Sequence, residues 1–303
     1  MSGTGTGLLG RALAAALWAL AAWGQTPVSL YFTVEDGDKL IGGLTEQNFR
    51  LYEDGRPVSF RLAPPESPAA ITLLVEYSQA SIYYLNDIEV ALNAFLDAAP
   101  EGHWYSLATF SQELQIHVDF TKQKGEIRAA FAGLGQPFWG EVNTYDALAD
   151  VLDKLEWLPG RKVIVFIGSG LNTLSRNTLG EVQKKVEGAD VTIFAAAAGT
   201  LLRGQYDPYL TGGQRMELTQ AEAFLNMLAK KTGGQAFFPR FETAYRDIMR
   251  TVVLMLEQQY RIVYDSAVRR DGKFHRLKLE AFQVTGDKRR DYTVRVREGW
   301  RRY

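Results

Sequence analysis

Hydrophobic and polar positions along the chain change rhythm twice. Residues 27–62 alternate in short β-prone runs broken by turn residues. Ser29–Val34 is followed by Glu-Asp-Gly-Asp, and Phe49–Tyr52 by Glu-Asp-Gly-Arg. Asp-Gly between such runs signals a hairpin. Pro64, Pro65 and Pro68 then stiffen the path. From Ala70 the pattern becomes apolar strand, amphipathic helix, apolar strand. Ile71–Val75, Tyr105–Phe110, Leu114–Val118, Val163–Ile167 and Val191–Ala196 read as strands. Helical stripes fall at Ile88/Leu92/Phe95/Leu96, Ala147/Leu148/Val151/Leu152/Leu155, residues 179–187, Ala221/Phe224/Leu225/Leu228 and Ala244/Ile248/Met249/Val252/Leu256. An unbroken apolar strand such as Val163–Ile167 suits a sheet covered on both faces. From Tyr260 the β rhythm returns in Tyr260–Tyr264, Phe274–Leu279 and Tyr292–Val296.

This order predicts an α/β fold, a doubly wound parallel sheet with helices on both faces. The flanking β segments, 25–66 and 259–303, are each too short to bury a core alone. They are expected to pair into one small β domain with the α/β unit, 67–258, inserted between them. In Tyr292–Glu298 arginines alternate with apolar residues, which predicts a half-buried strand with its arginines in solvent.

The first 24 residues read differently. Arg11 precedes eleven uncharged residues, Ala12–Ala22, and Ala22-Trp23-Gly24 offers a small-residue cut site before Gln25. That is the layout of a cleaved signal peptide. The run falls short of the ~20 residues that span a bilayer, and no spanning run follows; a retained anchor is the alternative. The mature chain is therefore expected outside the cytoplasm, periplasmic or extracellular.

Composition then removes chemistry. There is no Cys and only three His, so disulfides, zinc–thiolate sites, iron–sulfur clusters and cysteine nucleophiles are excluded. With 34 Lys+Arg against 35 Asp+Glu the net charge is −1, which argues against a nucleic-acid partner. Isolated His103 and His117 lack the partners a metal site needs. Gly168-Ser169-Gly170 has neither the spacing nor the helix of a hydrolase elbow.

Several motifs in order resemble the secreted bacterial branch of the von Willebrand factor type A (vWA) domains, the VWFA-related family. They are Gly43–Phe49 with Tyr52-Glu53-Asp54-Gly55, Thr144–Leu148, Thr232–Pro239, Gln259-Tyr260, Asp271–His275 and Arg295–Trp300. The resemblance covers about residues 27–300 and implies a Rossmann-like fold that binds proteins, commonly through a divalent ion at the metal-ion-dependent adhesion site. That site uses Asp-x-Ser-x-Ser after the first strand, a Thr from a later loop and an Asp after the central strand. Here the positions read Glu76, Ser78, Ala80, Val142 (with Thr144 two places late) and Ser169. Mg²⁺ wants octahedral oxygen ligands, and this set has lost most of them. The resemblance thus implies a degenerate site, no cofactor and no catalysis. Partner contact is expected through Tyr77, Gln79, Ser81, Tyr83, Tyr84, Asn143 and Asn172, with the loop 204–209 beside them. The alternative is a metal-dependent adhesion protein that binds Mg or Mn through Glu76, Ser78 and Thr144; an envelope enzyme of unknown type is a second alternative.

Overall fold

The computed structural model describes residues 27–200, 207–241, 243–268 and 270–303. The expected signal segment, 1–24, lies outside them. Two sheets organise the chain, and both ends of it contribute to one of them.

The N-terminal segment supplies β1 (Pro27–Asp36), β2 (Lys39–Leu40), β3 (Phe49–Glu53), β4 (Arg56–Val58) and β5 (Phe60–Ala63). The β3–β4 turn is Asp54-Gly55, both with positive φ (49° and 79°), the conformation a two-residue hairpin turn requires. The α/β unit follows with β6 (Ala70–Glu76), α1 (Leu85–Ala98), β7 (Trp104–Phe110), β8 (Leu114–Thr121), α2 (Lys124–Ala132) and α3 (Thr144–Glu156). It continues with β9 (Lys162–Gly168), α4 (Leu179–Gly188), β10 (Thr192–Ala197), α5 (Gly212–Thr232), β11 (Ala236–Phe237) and α6 (Ala244–Glu257). The tail forms β12 (Tyr260–Asp265), β13 (Phe274–Thr285), β14 (Lys288–Val296) and β15 (Gly299–Arg301).

The six-stranded sheet has the order β11-β10-β9-β6-β7-β8, parallel except for the antiparallel edge strand β8. One face buries Ile88, Leu92 and Phe95 of α1, Ile127 and Phe131 of α2, and Met249 and Val252 of α6. The other buries Leu148, Val151 and Leu155 of α3, Val182 and Val186 of α4, and Phe224 and Leu228 of α5. This is the doubly wound architecture that the strand–helix alternation predicts. Helix α2 was missed by the hydrophobic pattern because only Ile127 and Phe131 in it reach the core. Among the described residues no helix is long and apolar enough to cross a membrane.

The second sheet runs β4-β3-β13-β14-β1-β12-β5, with β2 on β1 and β15 on β13. Strand β1 lies between β12 and β14, so the two ends of the chain interleave. Its core stacks Phe32 on Tyr260 and sets Phe49 edge-on to Phe32. One expectation fails here. Arg297 is 5% exposed rather than solvated. Its guanidinium turns back to the α/β unit and donates to the carbonyls of Glu187, Ala189 and Gly299.

His275 clamps the β3–β4 turn to β13. Its Nδ1 lies 2.8 Å from Asp54 and its Nε2 3.3 Å from Asp271. Burial opposes the imidazolium, but the hydrogen bonds to the two carboxylates outweigh it and raise its pKa above the ordinary value. Asp54 is held low by its bond to His275, and Asp271 by the Lys273 amide. A raised histidine pKa stabilises fully below its unfolded value, about 6.5, and loses that contribution as pH climbs through the raised one. The two aspartates lose theirs only in acid. The Tm is therefore expected to decline from about pH 6.5 upward, and the decline to vanish in His275→Gln; superimposable melting profiles across that range would refute the clamp.

Candidate functional site

In an open α/β sheet the strand order reverses at a switch point, and the carboxyl ends of the strands there frame a crevice. The reversal here falls between β6 and β9, whose chain neighbours run outward to opposite sides. Glu76 ends β6 and Gly168 ends β9, so the sheet brings Glu76 and Ser169 together across 93 residues of sequence.

Glu76 is fully buried, and both of its oxygens are occupied. Oε1 accepts from Ser78 Oγ at 3.1 Å and from Tyr84 OH at 2.5 Å. Oε2 accepts from the Ser169 amide and the Ser169 hydroxyl, each at 2.6 Å. Burial, with Glu76 beside it second, pushes the Tyr84 phenol well above its usual pKa and keeps it a donor. The packing is tight: a Cβ on Gly168 would lie 2.7 Å from Glu76 Cβ. Ser78 also caps the 3₁₀ turn Gln79–Tyr84, accepting from the Ser81 amide at 3.3 Å.

A second set of side chains fixes the loop after Ser169 to the start of α3. Asn143 Oδ1 accepts from the Leu174 amide, and Asn172 Oδ1 from the Tyr145 amide and the Ser175 hydroxyl. Asp146 accepts the amides of Arg176 and Asn177, both at 2.8 Å. Those bonds outweigh the effect of burial and hold its carboxyl below the usual range. Thr144 is buried and its hydroxyl donates to the Leu171 carbonyl. Val142 is buried too, and its carbonyl accepts from the Thr173 amide.

Of the residues expected to meet a partner, Tyr83 is 79% exposed and Gln79 is exposed. Tyr77 and Asn172 are half-buried, with the Tyr77 hydroxyl donating to the Gly135 carbonyl. Ser81, Tyr84 and Asn143 depart from that expectation: all three are buried, and their polar groups are spent on holding the loops. In the loop 204–209, residues 204–206 lie outside those described, while Tyr209 is exposed.

The hydrophobic pattern overlooked Phe138 and Trp139, which are 75% and 46% exposed and pack edge-to-face. The Trp139 carbonyl accepts from the Gln79 amide, which places the pair beside the Gln79–Tyr84 turn. Two large aromatics in the Gly- and Pro-rich run Gly133–Gly140 were the available signal. A separate cavity of about 200 Å³ lies at the carboxyl ends of β9 and β10, lined by Tyr84, Ser169, Leu171, Ala197, Gly199 and Leu210.

No protein-family model matches the sequence, and neither does any curated protein. Several solved structures are similar to it. One is an aerotolerance-related membrane protein from Bacteroides fragilis, matched over 61% of this chain and 98% of that one at 12% identity and a TM-score of 0.47. A von Willebrand factor type A protein from Catenulispora acidiphila matches over 92% of this chain and 75% of its own, at 10% identity and a TM-score of 0.47. Proximal thread matrix protein 1 from the mussel byssus matches over 64% and 49%, at 14% identity and a TM-score of 0.47, so this chain spans about half its length. Solved structures similar to this chain thus include vWA proteins. The fold class itself rests on the strand order and register.

Proposed function

We propose that this chain is an exported, non-catalytic binding module that receives another protein at the carboxyl end of its parallel sheet, without a bridging metal ion. The observation that carries this reading is the closure of Glu76. A carboxylate that already accepts four hydrogen bonds from Ser78, Tyr84 and Ser169 has no lone pair turned to a ligand. A divalent ion would have to displace those donors. Ala80 and Val142 supply no side-chain oxygen, and the Thr144 hydroxyl is engaged with Leu171. This donor set does not fit a hard cation that needs six oxygens.

Binding then falls to the rim. Ile82, Tyr83, Phe138 and Trp139 expose apolar surface around Gln79, on loops held by the Ser78 cap, the Tyr77–Gly135 bond and the Gln79–Trp139 backbone bond. Aromatic residues are enriched at protein interfaces, and fixed loops lower the entropy lost on docking. The expected export follows the signal pattern of the first 24 residues.

Two measurements test this. Calorimetric titration with Mg²⁺ and with Mn²⁺ is expected to show no saturable heat; micromolar binding abolished by Ser78→Ala would restore the metal-dependent alternative. A photocrosslinking residue placed at Tyr83 is expected to capture an envelope protein, with capture lost when Phe138 and Trp139 are both replaced by Ala. Capture that ignores those replacements would remove the rim from the reading.

A further inference from the structure

Strand β8 ends the six-stranded sheet, and its outer side is unpaired there. Among the described residues, no backbone outside β7 hydrogen-bonds to Leu114–Val118. Natural sheet edges are usually blunted by Lys, Pro, bulges or shortness. This one is blunted from His117 onward. One register irregularity falls between Ile116 and Val118 and a second between Val118 and Thr121, and Asp119 accepts from the Phe120 amide. That leaves Leu114–Ile116 as the regular edge. Leu114–Val118 contains no Pro and no Lys.

A cleft opens on each side of that edge. Toward α3, about 260 Å³ is lined by Ile116, Phe120, Val151, Leu155 and Leu158, with Lys154 and Asp119 of opposite charge. Toward the 134–139 loop, about 190 Å³ is lined mainly by polar groups, among them Thr109, Gln115 and His117. Burial lowers the His117 pKa, so Glu113 is the one formal charge of that second cleft at neutral pH. Of the four tryptophans in the described residues, Trp104, Trp139 and Trp157 are exposed. Trp104 opens β7 beside β8, Trp139 lines the polar cleft, and Trp157 adjoins Leu158 of the apolar one.

An added strand sends successive side chains to opposite faces. Backbone pairing then gives affinity, and the pockets on either face give specificity. We infer that β8 is a strand-addition edge for an extended segment of a partner protein that alternates apolar and basic residues. The apolar side chains enter beneath α3, and the basic ones face Glu113. A second copy of this chain fits less well, because β8 carries no Lys or Arg to meet a neighbour's Glu113. The cleft that receives the basic side chains shares Phe138 and Trp139 with the rim around Tyr83, so the Glu113 and Ile116 variants, which leave the rim intact, distinguish the two.

The probe is a synthetic peptide, acetylated and amidated, of four valines alternating with three arginines, titrated into the full chain. Saturable one-to-one binding is expected, with slowed amide exchange at residues 114–116. A control peptide N-methylated through its five central residues keeps the charge and loses the ladder, and is expected to bind at least about tenfold more weakly, as loss of one or two net hydrogen bonds implies. Glu113→Gln is expected to weaken binding several-fold and Ile116→Lys to abolish it. Both positions are exposed, and an unchanged melting curve shows that the variants fold. Absence of saturable binding overturns the inference, as does equal binding of the N-methylated peptide, which would mean charge adsorption. A dimer in sedimentation velocity that Ile116→Lys dissolves would assign the edge to a second copy and overturn it too.

Discussion

Arg297→Met is expected to destabilise the protein by about 3–5 kcal/mol, the cost of leaving three buried backbone carbonyls without their charged donor. The side chain is almost fully buried where the β tail meets the α/β unit. Its Nε donates to Gly299 O at 2.8 Å, Nη1 to Ala189 O at 3.0 Å and Nη2 to Glu187 O at 2.8 Å. The Glu187 and Ala189 carbonyls sit at the end of α4, where helix carbonyls lack intrahelical partners and a cation is favoured. Met replaces the stem and leaves three carbonyls without donors. Lys would not restore them, because one ammonium on a flexible stem cannot reproduce the planar fork. Close approach leaves no room for relaxation: a Cβ on Gly233 would lie 2.8 Å from the Arg297 amide. Neighbouring pairs, Arg301–Glu187 at 2.9 Å and Lys230–Glu298 at 2.8 Å, tie the same two bodies together. Urea unfolding followed by circular dichroism would show the midpoint fall. A second transition, from the β sheet separating first, would locate the damage at this junction. A loss below about 1 kcal/mol would mean that the carbonyls find water instead.

Arg297 also marks where the sequence stops being readable. Its alternation with Val294 and Val296 has the period of a half-exposed strand, and nothing local reveals that a helix end 110 residues earlier in the chain would cover it. Local patterns did carry far. The Asp54-Gly55 turn and the strand–helix alternation followed from periodicity and turn chemistry, because these depend on a residue's near neighbours, and the pairing of the two ends followed from the shortness of each segment. The meeting of Glu76 and Ser169 at the strand ends was legible as well, since each closes an apolar run. The state of the site was not. Tyr83 and Tyr84 are chemically equivalent in the sequence, yet the 3₁₀ turn puts one in solvent and sends the other to Glu76. Which tyrosine is surface and which is a hydrogen-bond donor depends on the register of that turn. Ser78 sets the register by capping its first residues.

Glu76→Ala is the sharper test of how the crevice works, and a loss of about 3 kcal/mol or more is expected. The substitution removes the acceptor shared by Ser78 Oγ, Tyr84 OH, Ser169 Oγ and the Ser169 amide. Buried donors left without a partner each cost about 1–3 kcal/mol, less what an entering water recovers. Glu76→Gln should fall between, because its amide nitrogen donates where the carboxylate accepted and only part of the network can be rebuilt. Hydrogen exchange should speed up in both arms that Glu76 joins, the turn Gln79–Tyr84 and the loop after Ser169. The rim residues Ile82 and Tyr83 ride on the first of these arms, so partner capture at Tyr83 should weaken with it although Glu76 itself is fully buried. The opposite result would be equally informative. If Glu76→Ala left stability and exchange unchanged, the four donors would be spending nothing on the fold. The carboxylate would then be free to take a ligand, and the reading of a closed, metal-free crevice would fail.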